Sequence, residues 1–373
     1  MRLRMPIVML GTSPTANGGI ATVVQLYMND GLLRRQNVTY ICTHCCATPT
    51  DKIKTFFKAL SKTAFMLSAR RVEILHVHAA TGTSFWRKSV FLLLAKVYRV
   101  PSVLHLHSGN SPAFYQRQCG IIGKALVQQA LHMATRVVVV SKELEQWAKI
   151  VAPKSKVLTV YNPIPTEEPD EYHSRDPRTI LYLGRLNRAK GVYDLLRAMP
   201  AVLAENPDAQ LLLCGDGAEI ETRNLIDRLK LHQNVQMLGW VNNERKAILL
   251  RSSTVFVLPS YSEGLPMSML EAIASGLPVI VTRVGGIPEV ITDQVEGSLV
   301  DPGDVDALAR SITLLLKDQQ KQRKMSEAAK QKTRRMFCHT RTIGRIEAIY
   351  DELRNSITHQ KISPSTAENP TSL

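Results

Sequence analysis

Two glutamates, Glu263 and Glu271, stand eight residues apart in the segment Leu258-Pro259-Ser260-Tyr261-Ser262-Glu263-Gly264-Leu265-Pro266-Met267-Ser268-Met269-Leu270-Glu271-Ala272. Pro266 suits the first position of a helix, which places Glu263 and Gly264 in the loop before it and Glu271 inside it. Eight residues overshoot two ideal helical turns by about 80°, so the two carboxylates do not stack and need separate tasks. A carboxylate at a helix N-terminus beside a sheet edge can accept sugar hydroxyls, and free N–H groups there can meet a phosphate or sugar oxygen.

Other segments carry the complementary charge. In Leu183-Gly184-Arg185-Leu186-Asn187-Arg188-Ala189-Lys190-Gly191, Arg185 and Lys190 follow an expected strand and precede a helix. Two cations at a strand's carboxyl end suit a diphosphate, although a solvated basic loop has the same composition. Gly11 leads through Ser13 and Asn17 to Gly18-Gly19, where a helical pattern begins. Adjacent glycines there either admit an anion to backbone N–H groups or simply serve a tight turn. His105 and His107, two apart at a strand end, share one face, as do His76 and His78. Either pair reads as two metal ligands or as packed imidazoles, and no third and fourth ligand pattern accompanies them. Ser141 reads equally as a helix N-cap or a ligand contact, Asn162 as a turn starter, and Glu289 stays outside the site.

Short β-branched runs alternate with longer helical patterns, the signature of an α/β chain with parallel sheets and crossover helices. Runs are expected at 7–10, 38–42, 72–77, 102–106, 137–140 and 157–160, then at 180–183, 210–214, 235–238, 255–258 and 279–281. The proline-rich stretch from Asn162 to Asp170 interrupts them. The expected organisation is therefore a first Rossmann-like domain at 1–164, a linker at 165–177 and a second such domain at 178–337. A C-terminal helix at 338–358, packing back on the first domain, and a disordered tail at 359–373 complete it. Ligands belong at the carboxyl ends of the strands, in the cleft between two doubly wound sheets.

In order along the chain, Gly18-Gly19, the strand ending in His107, Ser141, Asn162-Pro163, Gly184-Arg185 with Lys190-Gly191, Gly215-Asp216-Gly217, the E-x7-E pair Glu263 and Glu271, Gly276-x-Pro278 and Gly285-Gly286 resemble the motifs of the retaining GT-B glycosyltransferases of family 4. The resemblance covers nearly the whole chain. It implies a GT-B fold and transfer of a hexose, with retention, from a nucleotide-diphosphate sugar (uridine or guanosine) to a glycan acceptor. No cofactor or metal is implied. Arg185 and Lys190 would contact the pyrophosphate, Glu271 the ribose, and Glu263 the donor sugar beside the backbone of Gly264, Leu265 and Pro266; Gly18 and Gly19 would approach the distal phosphate. His107 matches the active-site histidine, giving His107, Glu263, Arg185 and Lys190 as catalytic candidates. The position of Glu263 does not make it a nucleophile. Alternatives are another GT-B chemistry, such as a nucleotide-sugar epimerase or phosphorylase, and a non-catalytic sugar or anionic-lipid binding protein. Gly11 to Gly19 makes no G-x-G-x-x-G turn, which disfavours a dehydrogenase.

The 373 residues carry a net charge of +15, and the surplus is uneven. Residues 1–164 hold 21 basic and 5 acidic side chains, whereas 165–373 hold 26 and 27. Such asymmetry points to an anionic partner of the first half. No helix-turn-helix, zinc spacing or RNP-like strand points to nucleic acid. In the stretch from Asp51 to Arg71, Lys54, Lys58 and Lys62 recur every four residues with Phe56, Phe57, Leu60, Phe65, Met66 and Leu67 between them. Such a helix lies in a membrane interface, or packs its aromatics on the sheet and leaves its lysines in water. Trp86-Arg87-Lys88 offers a second anchor. The expectation is a cytoplasmic enzyme, peripheral on the inner face of the membrane, whose acceptor is a polyprenyl-diphosphate-linked glycan of exopolysaccharide or cell-envelope synthesis. No apolar run reaches the roughly 18 residues of a membrane span, and six scattered cysteines fit reduced thiols.

Overall fold

The alternation of strand and helix patterns produces two parallel sheets. A computed structural model describes residues 5–45, 48–164, 176 and 178–362. The first half runs β1 (Ile7–Thr12), α1 (Gly19–Asn29), α2 (Leu32–Arg35), β2 (Val38–His44), α3 (Pro49–Ser68), β3 (Ile74–Ala79), α4 (Thr83–Val97), β4 (Ser102–Leu106), α5 (Ser111–Ala113), α6 (Ile121–Met133), β5 (Arg136–Val139), α7 (Lys142–Val151) and β6 (Val157–Thr159). The second runs β7 (Thr179–Leu183), α8 (Val192–Glu205), β8 (Gln210–Cys214), α9 (Glu219–Arg228), β9 (Val235–Gly239), α10 (Asn243–Ser252), β10 (Val255–Leu258), α11 (Met267–Ala274), β11 (Val279–Thr282), α12 (Ile287–Val290), β12 (Gly297–Val300), α13 (Val305–Lys317), α14 (Gln319–Met336) and α15 (Ile343–Ile362).

Strand order is β2-β1-β3-β4-β5-β6 in one sheet and β12-β11-β10-β7-β8-β9 in the other. The order reverses direction between β1 and β3 and between β7 and β10, and at such switch points the diverging loops leave a crevice for ligands. Ile7–Leu10, β4, β5, β10 and β11 are buried throughout. They are sandwiched between helices, which is why they read as continuous apolar runs.

Several boundaries differ from the sequence reading. β12 was not anticipated, because only Leu299 and Val300 follow its Gly297-Ser298 start. Pro266 is the N-cap of α11, with ψ 125°, and not its first helical residue. α15 begins at Ile343 after a 3-10 turn at His339–Arg341 and reaches Ile362, four residues past the expected limit. Its axial hydrogen bonds continue where a tail was expected. Residues 363–373, and all of the expected linker except Asp176, lie outside the described residues.

α15 packs on the first sheet. Arg354, nearly buried, donates to Glu73 Oε2 at 2.9 Å and to Gln36 O at 3.2 Å. Tyr350 Oη lies 2.5 Å from His76 Nδ1. β3 starts later than expected, so His76 and His78 sit inside it, and its register sets His78 opposite His105 of β4. His76 stacks on His78 at 4.5 Å and 18°, and on His105 at 5.4 Å and 22°, while His105 stacks on His107 at 4.1 Å. His76, His78 and His105 can each bring a ligand atom within 4.8 Å of the others. Within the cluster the rings already bond one another, His76 Nε2 lying 3.3 Å from His105 Nδ1.

Burial lowers the pKa of His76 and of His107 to about 3, and holds His78 and His105 well below the ordinary imidazole value. The folded chain keeps these rings neutral, whereas the unfolded chain takes up protons below about pH 6.5. The stabilisation is therefore complete above pH 6.5 and is lost as pH falls toward 3, at about 1.4 kcal/mol per group per pH unit. Urea midpoints should drop clearly between pH 7.5 and pH 5. Equal midpoints would mean that the imidazoles accept protons inside the fold.

Candidate active site

Lys190 ends the 3-10 turn Arg188–Lys190, whose first N–H groups need a cap; the Asn187 side chain accepts from Lys190 N at 3.0 Å. Gly191 follows at φ 70°, and a Cβ there would lie 1.9 Å from Pro259 O. Only glycine lets this turn lie against the β10 loop. As a result Lys190 Nζ reaches Glu263 Oε1 at 2.6 Å. Ser260 Oγ donates to the same oxygen at 2.8 Å. Glu263 is nearly buried, so these two donors satisfy a carboxylate that has lost most of its water.

Arg185 lies elsewhere. Its side chain is 63% exposed and its Nε is 3.9 Å from Asp216 Oδ1. Asp216 Oδ2 in turn accepts from Asn17 Nδ2 at 3.4 Å, across the cleft. The Gly215-Asp216-Gly217 turn thus stands between Arg185 and the loop that leads into α1. Gly18 is the N-cap of α1 at φ 130°, and a side chain there would point into open space. Gly19 faces Met267, 3.7 Å from where its Cβ would stand. The first N–H groups of α1 therefore border the cleft.

Glu271 is buried in α11 and its Oε1 accepts from Lys246 Nζ of α10 at 2.6 Å. Burial raises its pKa, and Lys246 opposes that rise. The two glutamates hold different lysines, and neither Lys246 nor Ser260 was singled out from sequence. Ser260 is three residues before Glu263 in the same loop, a signal that was available. Lys246 sits 25 residues from Glu271 with no local pattern to mark it.

The two halves meet through main chain. A Cβ on Gly109 would lie 1.6 Å from Glu263 O and 2.3 Å from Gly264 N, and one on Gly264 would lie 2.8 Å from His107 O. Gly285 and Gly286 pack on the same turn from the other side, and Gly286 N donates to Gly264 O at 2.7 Å. Leu265 is buried, and its carbonyl accepts from Asn162 Nδ2 at 2.9 Å. Asn162 is thus a tie between the halves and not merely a turn residue. His107 follows β4, its N–H on Ala79 O at 3.0 Å and its Nε2 2.8 Å from His78 Nδ1. Burial keeps its ring neutral, with the Asn162 side chain pulling the other way.

Ser141 caps α7, accepting from Leu144 N at 3.3 Å. Glu289, left outside the site by the sequence reading, grips the same helix start: it accepts from Lys142 N at 2.9 Å, Glu143 N at 3.1 Å and Tyr161 Oη at 2.9 Å. A carboxylate on the positive end of a helix dipole is worth about 0.3–1 kcal/mol, and this one joins the two halves. Trp86-Arg87-Lys88 does not form a surface anchor. Lys88 is buried, and Trp86 packs edge-on against Phe85 and Phe114.

The Glycosyltransferase Family 4 model matches residues 21–168, and the Glycosyl transferases group 1 model matches 164–332. N-acetyl-alpha-D-glucosaminyl L-malate synthase of Bacillus anthracis is 30% identical over 312 residues, 79% of each chain. An uncharacterized glycosyltransferase of Methanocaldococcus jannaschii is 30% identical over 279 residues, 69% of this chain and 70% of its own. Among solved structures, sucrose-phosphate synthase of Thermosynechococcus elongatus superposes with a TM-score of 0.74 at 22% identity, covering 96% of this chain and 99% of its own. Anabaena HepE, in complex with UDP and glucose, gives 0.68 at 17% identity, covering 97% and 100%. With two switch-point sheets closed on one glycine-lined cleft and both halves matched by family models, the chain belongs to the group 1 glycosyltransferases of family 4 and has the GT-B fold.

Proposed function

We propose that the chain is a retaining glycosyltransferase that moves a hexose from a uridine or guanosine diphosphate sugar to a lipid-linked glycan acceptor. The observation that carries this reading is the Lys190–Glu263–Ser260 cluster, closed over by the backbone of His107 to Gly109. The diphosphate lies between Lys190 and Arg185, with the α1 N-terminus at its distal phosphate, and Glu271 meets the ribose. Glu263 takes hydroxyls of the donor sugar, beside the backbone of Gly264 and Leu265; Pro266 has no N–H to give. Cleavage of the anomeric C–O bond leaves its electron pair on the diphosphate. The acceptor oxygen bonds the anomeric carbon on the face the diphosphate leaves, and its proton passes to a diphosphate oxygen. Lys190, held by Glu263, and the more exposed Arg185 stabilise that growing charge. His107, neutral, accepts or donates one hydrogen bond to the sugar. The carboxylate of Glu263, held by two donors, orients and is not assigned as the attacking group.

The acceptor reaches this cleft from the first half. α3 turns Phe56, Leu60 and Met66 toward the core, so the packing reading holds for those side chains. Ile53, Phe57 and Phe65 remain exposed on one stripe beside the exposed Lys54, Lys58 and Lys62. α4, which contacts α3, adds exposed Leu93 and Val97, and α6, which contacts α4, adds Ile122, Leu126 and the 91% exposed Ile121. An apolar stripe of this extent rimmed by lysines suits the cytoplasmic face of an anionic membrane. No helix among the described residues is long and apolar enough to cross one.

Three outcomes are expected. Lys190→Ala and Glu263→Ala should each lower kcat by about 10² or more with circular dichroism unchanged; near-normal turnover in both would overturn the site. Gly109→Ala, whose added methyl would stand 1.6 Å from Glu263 O and force the two halves apart, should cut kcat/KM by at least about tenfold, and unchanged kcat/KM would mean that this contact does not set the cleft. Cosedimentation with phosphatidylglycerol vesicles at low salt should be strong and should weaken by about 1 kcal/mol for each lysine reversed in Lys54→Glu, Lys58→Glu and Lys62→Glu. A wild-type protein that stays in the supernatant would remove the membrane from this account.

A further inference from the structure

Among the described residues Lys88 is the most deeply buried lysine or arginine of the first half, 2% exposed, and no carboxylate accompanies it. Its Nζ donates to Thr43 Oγ1, whose own hydrogen goes to Gly11 O at 2.8 Å. Beside it Arg87 lies 3.1 Å from His44 Nδ1, and both side chains are partly exposed. Lys52, in the first turn of α3, acts on the same imidazole, as do Arg87 and Lys88. The groups that face Lys88 are thus Arg87, His44, His78 and the Cys42 thiol.

The five acids of residues 1–164 are engaged elsewhere or remote. Asp30 pairs with Arg35, Glu73 with Arg354, Glu145 with Lys149, Asp51 accepts from Thr48 at the α3 cap, and Glu143 faces Glu289. An ammonium taken out of water without a counter-charge costs several kcal/mol. Burial lowers the pKa of Lys88 to about 7, with Arg87 adding to the effect. The cluster also has an address: Thr43 and His44 end β2, Gly11 and Thr12 end β1, and this carboxyl edge of the sheet carries His107 at the end of β4. From there α3 and α4 lead outward to the exposed apolar stripe.

We infer that His44, Lys52, Arg87 and Lys88 form a phosphoryl-binding site on the acceptor side of the cleft, which takes the phosphate or diphosphate group of the acceptor. The inference deepens the glycosyltransferase reading above and rests on it. The exposed edges of His44, Lys52 and Arg87 contact the anion, and Lys88 charges fully behind them. Binding therefore takes up a fraction of a proton near neutral pH.

Calorimetry tests this at pH 7.5 with UDP saturating, titrating inorganic pyrophosphate in one arm and farnesyl diphosphate in the other. Both should bind, and the double variant Lys52→Met with Arg87→Met should weaken each by at least tenfold. A gain for farnesyl diphosphate of tenfold or more assigns the site to a lipid-linked source, and equal affinities assign it to a soluble phosphorylated one. In two buffers of different ionisation heat, wild type should show proton uptake and Lys88→Met should not. That variant removes an unpaired buried charge, so it should melt no lower than wild type. Absence of pyrophosphate and farnesyl diphosphate binding, or equal binding by the double variant, overturns the inference. Failure of UDP itself to bind wild type would instead defeat the donor assignment.

Discussion

Everything in the cleft depends on a contact that only glycine permits. Main chain of His107 to Gly109 lies directly against main chain of Glu263 and Gly264, with Gly285 and Gly286 behind. A single methyl at Gly109 would stand 1.6 Å from Glu263 O, far inside van der Waals contact. Close packing of this kind transmits position faithfully, because neither partner has side-chain freedom to absorb a displacement. The carbonyls and N–H groups of both halves are consequently fixed relative to His107, Glu263 and Lys190 together. Asn162 on Leu265 O and Glu289 on the α7 start tie the same halves at two further points.

The second constraint is charge pairing. Three cations of the donor half already have a carboxylate: Lys190 holds Glu263, Lys246 holds Glu271, and Arg185 stands near Asp216. Pairing makes burial of Glu263 and Glu271 tolerable before any anion arrives. It also sets a hierarchy. Arg185, exposed and 3.9 Å from its partner, gives up little to meet a phosphate, whereas Lys190 at 2.6 Å is shared with the carboxylate that holds it in place.

Much of this architecture was legible in the sequence, for identifiable reasons. Parallel strands buried on both faces read as continuous apolar runs, so β4 and β10 fall where the pattern put them. β12 escaped because Gly297 and Ser298 supply half its length and no apolar signal. Within the site, local spacing placed Glu263 in a loop before a helix and Lys190 after a strand. It did not show that they meet, since they are 73 positions apart and three strands and three helices of the second sheet's layers intervene. Lone glycines such as Gly109 are opaque for the same reason: the demand for a missing Cβ comes from the opposite half. The charged stretch at Trp86-Arg87-Lys88 misled in a different way. Its helix is rotated so that the ammonium points at the sheet edge and the indole into an aromatic cluster, a rotation composition alone does not report.

That rotation bears on what the charge surplus does. At ordinary ionic strength a field is screened over about 10 Å, so lysines on the α3 surface and cations at the sheet edge act on different scales. The surface lysines stay hydrated and attract whatever anion approaches. Lys88 cannot serve that purpose, because burial has already taken it out of the field that solvent sees. A buried base without a counter-charge is useful only to a ligand that comes within contact distance of its neighbours and completes the pair. Lys190, Lys246 and Arg185 have their carboxylates in advance and Lys88 has none, which is the asymmetry expected where a second anion, separate from the donor diphosphate, enters on the acceptor side.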